Sequence, residues 1–220
     1  MIERGGTNEE RLYLNDLEFD CEDQICIVRK TDMPNIYEII QRHKARYMLP
    51  AFFVRSGMKV LDFPCGSGYG SEILSGPQID YEGRDYDKPT IQYCNQFYHG
   101  TFLCGDLSDP SLDGMKYDLI ACIEGLEHCN QESQLPLIKA FYEALKHDGI
   151  LVVSSPCNPT CVSGRSEKNP YHKWELTYED FENLLKNEFP GPYVQIIQHE
   201  AILHNGIKSN MLYGICRKGE

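Results

Sequence analysis

The 220-residue chain has no apolar run approaching the roughly 18 residues that a membrane-spanning helix needs, which excludes such a span. It is also short of cations: 21 Lys and Arg face 33 Asp and Glu, a net charge of −12. A field of that sign opposes non-specific attachment to nucleic acid or anionic membrane, without forbidding a local basic groove. Ten cysteines are present, but the paired C-x-x-C spacing of a zinc ribbon is missing. Cys21 and Cys26 are five apart, and Cys157 and Cys161 are four apart, so no structural zinc is expected. Cys65, Cys94, Cys104, Cys122 and Cys216 lie in apolar contexts and are expected to be small buried hydrophobes. The opening "MIERGGTNEERLYLND" is polar and acidic, unlike a secretory leader. A cytoplasmic location with reduced thiols is the default expectation. No internal repeat or low-complexity tract appears.

What is present is an ordinary globular composition, 41% hydrophobic and 25% charged, at a length suited to one α/β domain. Residues 1–33 form an acidic preface without clear period, expected to be a partly ordered arm or lid. Residues 34–220 are expected to form the domain proper. "PNIYEIIQRHKARYMLPAFFV" suggests a helix that starts near Pro34 and breaks near Pro50. Short apolar runs then alternate with helix-length segments. Strands are expected at 58–63, 79–85, 101–106, 117–123 and 149–155. Helices are expected at 69–74, ended by Gly76, at 88–98, and through 135–147. Residues 156–173 read as a long loop. A helix over 177–189 opens with Thr177 and Asp180 in a capping arrangement. Strands at 193–202 and 210–218, joined by "LHNGIKS", predict a closing hairpin. The alternation implies an α/β fold: a seven-stranded, mostly parallel sheet with one antiparallel terminal strand and helices on both faces.

"VLDFPCGSGYG" (60–70) places three glycines in five positions directly after the first strand of that alternation. Such freedom suits a backbone that a ligand approaches closely. The spacing is G-x-G-x-G, not the G-x-G-x-x-G of a dinucleotide fingerprint, and Asp62 stands four residues before the first glycine. A carboxylate there repels a pyrophosphate and suits a ligand carrying ammonium or hydroxyl groups.

This segment resembles motif I of class I S-adenosylmethionine-dependent methyltransferases, whose fold is Rossmann-like. Four further segments resemble that family in order: "YEGRDYD", "LCGDLSD", "YDLIACIEGLEH" and "LKHDGILVVSSP". The last has His147 and Asp148 where the family usually has Pro and Gly. The resemblance runs from about residue 35 to the end of the chain. It implies S-adenosylmethionine as the methyl donor, with Asp85 holding the ribose hydroxyls and Asp106 the adenine amino group. Tyr86 would flank the adenine. Asp62, Pro64, Gly66, Gly68, Leu107 and Glu124 complete the implied cofactor set. Arg46 either holds the methionyl carboxylate or belongs to the solvated face of its helix.

"IEGLEHC" puts Glu124, Glu127 and His128 at spacings of three and four, and "YHKWEL" later brings His172. His128 and His172 are the candidate bases, since a hydroxyl acceptor must lose its proton. His172 could equally be a plain loop residue. The set Glu124, Glu127, His128 and His172 would suit a divalent cation. It resembles the E-x-x-E-H of small-RNA 2′-O-methyltransferases and of ubiquinone-pathway O-methyltransferases, which implies a metal holding substrate hydroxyls. A wider likeness to bacterial tailoring methyltransferases carries no metal, and none is expected here. Tyr69, Tyr86, Tyr171 and Trp174 are candidates for the wall of an acceptor pocket. The expected activity is methyl transfer to a small molecule, most simply at the oxygen of a sugar or other metabolite. The alternatives are metal-assisted 2′-O-methylation of an RNA terminus, against which the acidic balance weighs, and a non-enzymatic S-adenosylmethionine-binding protein.

Overall fold

A computed structural model describes residues 11–14, 19–22, 25–28, 36–160, 162–167, 169–202 and 208–219. Most of the acidic preface, Pro34, Cys161 and most of the "LHNGIKS" connection lie outside the described residues. Within the preface, two short strands, β1 (Phe19–Glu22) and β2 (Ile25–Val28), pair antiparallel in a separate two-stranded sheet that the sequence pattern did not indicate.

Helix α1 (Ile36–Arg46) stops earlier than the break expected at Pro50, and a single turn, α2 (Met48–Ala51), follows. Proline cannot donate to the carbonyl four residues back, and its ring clashes with it. For Pro50 that carbonyl belongs to Arg46, the last residue of α1.

The main sheet is built from β3 (Lys59–Asp62), β4 (Asp80–Asp85), β5 (Thr101–Cys104), β6 (Tyr117–Cys122), β7 (Leu145–Pro156), β8 (Val194–Ile202) and β9 (Lys208–Arg217). Their spatial order is β5-β4-β3-β6-β7-β9-β8. All neighbours are parallel except β9, which runs antiparallel to both β7 and β8. From β3 the chain winds one way through β4 to β5 and then crosses back to β6 on the other side, so its winding reverses between β3 and β6. That reversal opens a crevice at the carboxyl ends of the strands.

Period-two alternation sorts the sheet's side chains into two layers. Leu61, Ile120, Cys122, Leu151 and Val153 pack on one face with α5 (Gln131–Ala144) and α6 (Tyr178–Glu188), through Leu137, Ile138, Phe141, Phe181 and Leu185. Val60, Leu119, Ala121 and Val152 pack on the other, against Tyr47, Leu74 of α3 (Ser71–Leu74), and Ile91 and Cys94 of α4 (Lys88–Phe97). Helices therefore cover both faces, and the central strands are apolar on both sides because neither side meets water. Thr177 caps α6, its hydroxyl accepting from the Asp180 amide at 3.2 Å.

Two local expectations are corrected. The helix expected to reach His147 ends at Ala144, and Leu145 already begins β7. Leu145 is buried and pairs with Tyr117, so a place in the sheet outweighs helix propensity there. Cys104 is exposed on the edge strand β5, not buried, whereas Cys65, Cys94, Cys122 and Cys216 are buried free thiols.

Candidate active site

The crevice at the strand ends holds a cleft of about 720 Å³. Pro64, Cys65 and Gly66 enter it from the turn after β3, Asp85 and Tyr86 from the end of β4, and Asp106 and Leu107 from the turn after β5. Glu124, Glu127 and His128 come from the turn after β6, Arg46 from α1, and Tyr171 and His172 from the loop after β7. Apart from Cys65, which the sequence suggests only as a buried thiol, each of these is a candidate site residue in the sequence. Asp62 and Gly68 are candidates as well, and neither lines the cleft.

Asp62 is fully buried behind the glycine turn, where its carboxylate accepts from Tyr81 at 2.8 Å and Tyr47 at 3.3 Å. Burial pushes its carboxyl up to about 8, against the pull of the two hydroxyls. The glycines divide in the same way. A Cβ on Gly68 (φ +87°) would lie 2.8 Å from Cys94 Sγ, and one on Gly70 would lie 2.4 Å from the Tyr47 ring. Those two glycines let α4 and Tyr47 pack closely, and of the three in this turn Gly66 is the one that lines the cleft.

Asp85 is the carboxylate presented at this end. Its Oδ2 accepts from the Gly66 amide at 3.1 Å, and its Oδ1 from the Asp87 amide at 3.0 Å and Arg11 Nη2 at 2.7 Å. Arg11 belongs to a strap, residues 11–14, that lies over the cleft's rim. Leu12 and Leu14 are buried with Ile40, the Ser67 hydroxyl donates to the Leu12 carbonyl, and the Tyr13 and Thr90 hydroxyls are 2.9 Å apart. Nothing in the aperiodic preface signalled this contact across 74 residues.

On the opposite wall Glu124 holds φ +52°, a region costly for a residue with a side chain. Ser154 stabilises that turn, its hydroxyl accepting from the Glu124 amide at 3.0 Å and donating to Oε1 at 3.1 Å. Glu124 also pairs with Arg46 at 3.4 Å. His43, one turn before Arg46, lines the cleft as well, and the i, i+3 spacing within "QRHKAR" could have revealed it. Burial, with the Arg46 charge, lowers its imidazole to about 4.

The two late elements are tied together through backbone. The Glu127 carbonyl accepts from the Lys173 amide at 2.8 Å and the Trp174 amide at 3.2 Å, and Gln134 Nε2 donates to the carbonyls of Leu126 and Trp174, each at 3.0 Å. These bonds bring His172 to His128, ring centroids 5.2 Å apart and perpendicular. His172 Nδ1 lies 2.6 Å from Glu175 Oε1, and His128 Nδ1 lies 3.2 Å from the Tyr171 carbonyl. With Nδ1 donating, each ring keeps a lone pair on Nε2. Glu127 is 1% exposed, and among the described residues neither of its oxygens has a hydrogen-bond partner. Burial, then the charge of Glu124, holds its carboxyl well above the usual range. Trp174, expected at the mouth, packs against the core layer of α5 and α6 instead.

A seven-stranded sheet in this order, with its glycine turn and strand-end carboxylates at the switch point, is the architecture of class I methyltransferases. Residues 37–195 match the family described as "Methyltransferase domain", and the chain belongs to that family. It is 27% identical over 148 residues to a protein of Mycolicibacterium smegmatis named "Probable S-adenosylmethionine-dependent methyltransferase", covering 66% of this chain and 56% of that one. A Mycobacterium tuberculosis protein of the same printed description is 25% identical over 128 residues, covering 57% and 46%. The chain thus spans about half the length of these curated relatives. Among solved structures, a SAM-dependent methyltransferase of Archaeoglobus fulgidus superposes with a TM-score of 0.65 at 19% identity, covering 82% of this chain and 94% of that one. One from Methanosarcina mazei superposes at 0.62 and 14% identity, covering 86% and 99%. No helix among the described residues is long and apolar enough to cross a membrane.

Proposed function

We propose that this protein transfers the methyl group of S-adenosylmethionine to a hydroxyl of a small-molecule acceptor, such as a sugar or other metabolite. The observation that carries this reading is the meeting, in one cleft, of the strand-end carboxylates Asp85 and Asp106 with the adjoining pair His128 and His172. Bound S-adenosylmethionine supplies a methyl group already activated on a sulfonium. Asp85 takes the ribose, Asp106 the adenine amino group, and Tyr86, Pro64 and Leu107 border the base. Gly66 lets the backbone come close, and Arg46 with Glu124 meets the charged amino-acid end. His128 and His172 stand beyond that end. One imidazole takes the acceptor's proton as its oxygen bonds to the methyl carbon, and the electrons of the broken carbon–sulfur bond stay on sulfur. Tyr69 and Tyr171 give the acceptor apolar walls. Free thiols such as Cys104 fit a reducing, cytoplasmic setting.

The test is a methyl-transfer screen over hydroxylated metabolites and short RNAs. His128→Ala and His172→Ala are expected to lower kcat about 10²- to 10⁴-fold. Binding of S-adenosylhomocysteine should stay within about twofold, because neither ring belongs to the adenosyl end. Full turnover in both variants would remove the histidines from the chemistry.

A second reading is favoured by one observation: donor atoms of Glu127, His128 and His172 all lie within 4.8 Å of one another. Two imidazoles and a buried carboxylate suit Mn²⁺, Fe²⁺, Co²⁺ or Zn²⁺ better than Mg²⁺. On this reading the histidines hold a cation that binds the acceptor's hydroxyls, and the 2′-hydroxyl of an RNA end joins the acceptor classes. A chelator would then abolish turnover and Mn²⁺ restore it, with Glu127→Gln insensitive to both. Turnover unaffected by chelator leaves the first reading alone.

A further inference from the structure

We infer that Arg11, on the strap outside the main domain, is itself part of the cofactor site and completes with Asp85 a donor–acceptor pair for the ribose diol. The inference rests on the methyltransferase reading and adds a binding residue to it.

An ionised carboxylate offers about four lone-pair positions. Three on Asp85 are already taken, by Arg11 Nη2, the Asp87 amide and the Gly66 amide. Asp85 alone therefore has about one position left, at Oδ2. A ribose presents two hydroxyls, each both donor and acceptor, so one carboxylate position cannot satisfy the pair. The missing capacity lies next to it. Arg11 lines the cleft, and its Nη1 is buried without a hydrogen-bond partner among the described residues. A guanidinium donates from both terminal nitrogens in a fixed plane. One ribose hydroxyl can donate to Asp85 Oδ2 while a diol oxygen accepts from Arg11 Nη1. Nη1 is closed even to water in the ligand-free protein, so the guanidinium must turn slightly toward the cleft to meet the diol, and doing so gives a costly unpaired donor its partner.

The strap is built to hold Arg11 there. Leu12, Tyr13 and Leu14 are buried, the Tyr13 hydroxyl meets Thr90 in the first turn of α4, and the Leu12 carbonyl meets Ser67 of the glycine turn. The Arg11 guanidinium also lies over the Tyr86 ring, 5.4 Å from its centroid, which steers the ring implied to flank the adenine.

The test is calorimetric binding of S-adenosylhomocysteine and of its 2′,3′-dideoxy analogue to the unaltered protein, Arg11→Met and Arg11→Lys. A lost hydrogen bond from a charged donor predicts that Arg11→Met weakens S-adenosylhomocysteine about tenfold or more. The dideoxy analogue, having no hydroxyls to lose, should change less than about threefold, and Arg11→Lys should recover part of the loss. Circular dichroism and thermal unfolding of the variants check that the fold is kept. Equal weakening of both ligands would make Arg11 a structural strap residue and overturn the proposal. Tighter binding in Arg11→Met would overturn it too, by making Arg11 a competitor of the ribose for Asp85. If the unaltered protein binds no S-adenosylhomocysteine, the methyltransferase reading fails first and this inference goes with it.

Discussion

Asp62 is the residue whose role changes most between sequence and structure. It ends the strand before the glycine turn, yet it points into the layer of Tyr47 and Tyr81 and accepts from both. Parity along β3 already implied this. Asp62 lies two residues after Val60, so it shares the face that packs on α3 and α4. What parity could not supply was the pair of tyrosines, which arrive from α1's far end and from β4. Because its folded carboxyl lies near 8 rather than an ordinary 3.8, its contribution to stability is complete below about pH 4 and is lost as pH rises through about 8. The Tyr81 hydroxyl limits that loss by favouring the ionised form. Tyr81→Phe should therefore destabilise the protein modestly at pH 6 and by about 1.5–3 kcal/mol at pH 9, read from denaturant unfolding at the two pH values. Equal losses at both would mean that Asp62 does not ionise in this range.

At the scale of elements, the site depends on how closely its turns approach one another. Gly125 sits under Pro64, where a Cβ would come within 2.3 Å of the proline Cδ. The turns after β3 and β6 are in contact there, and the two walls of the cleft cannot move independently. Gly125→Ala should cost about 1–3 kcal/mol and weaken S-adenosylhomocysteine binding, whereas Gly70→Ala, which strikes Tyr47 behind the turn, should cost as much in stability with less effect on binding. Thermal unfolding and calorimetry on the two variants separate the effects. Strands β3, β6 and β7 were legible because burial on both faces writes a continuous apolar run, and β4 and β5 from their place in the alternation with helices. The hairpin of β8 and β9 was legible from its short polar connection. The pairing of β1 with β2 and the seating of Arg11 were not, since a polar segment without period carries no record of a partner 74 residues away. His172 was grouped with Glu127 and His128 through resemblance, but no spacing in the sequence places it there. Its place beside His128 is set by backbone bonds to Glu127, which no side-chain pattern encodes.

For the whole molecule, the charge of −12 weighs against the RNA reading proposed as the alternative. Arg165 and Lys173 are cations at the cleft's rim, and they stand against a general acidic surface. A labelled 20-nucleotide RNA at about 150 mM salt should bind more weakly than the ~1–100 µM common for non-specific contacts. Saturable binding tighter than that, lost in Arg165→Ala with Lys173→Ala, would move the acceptor from metabolites to RNA.

The antiparallel strand β9 enters the sheet between β7 and β8, both made before it. Until a ribosome has synthesised Lys208–Arg217, β8 has no neighbour and β7 keeps a bare edge of unpaired amides and carbonyls beside its apolar core. The half of the sheet that carries the cleft can assemble early, but its flank stays open to strand pairing during translation, which makes a chain stalled at this stage prone to aggregation.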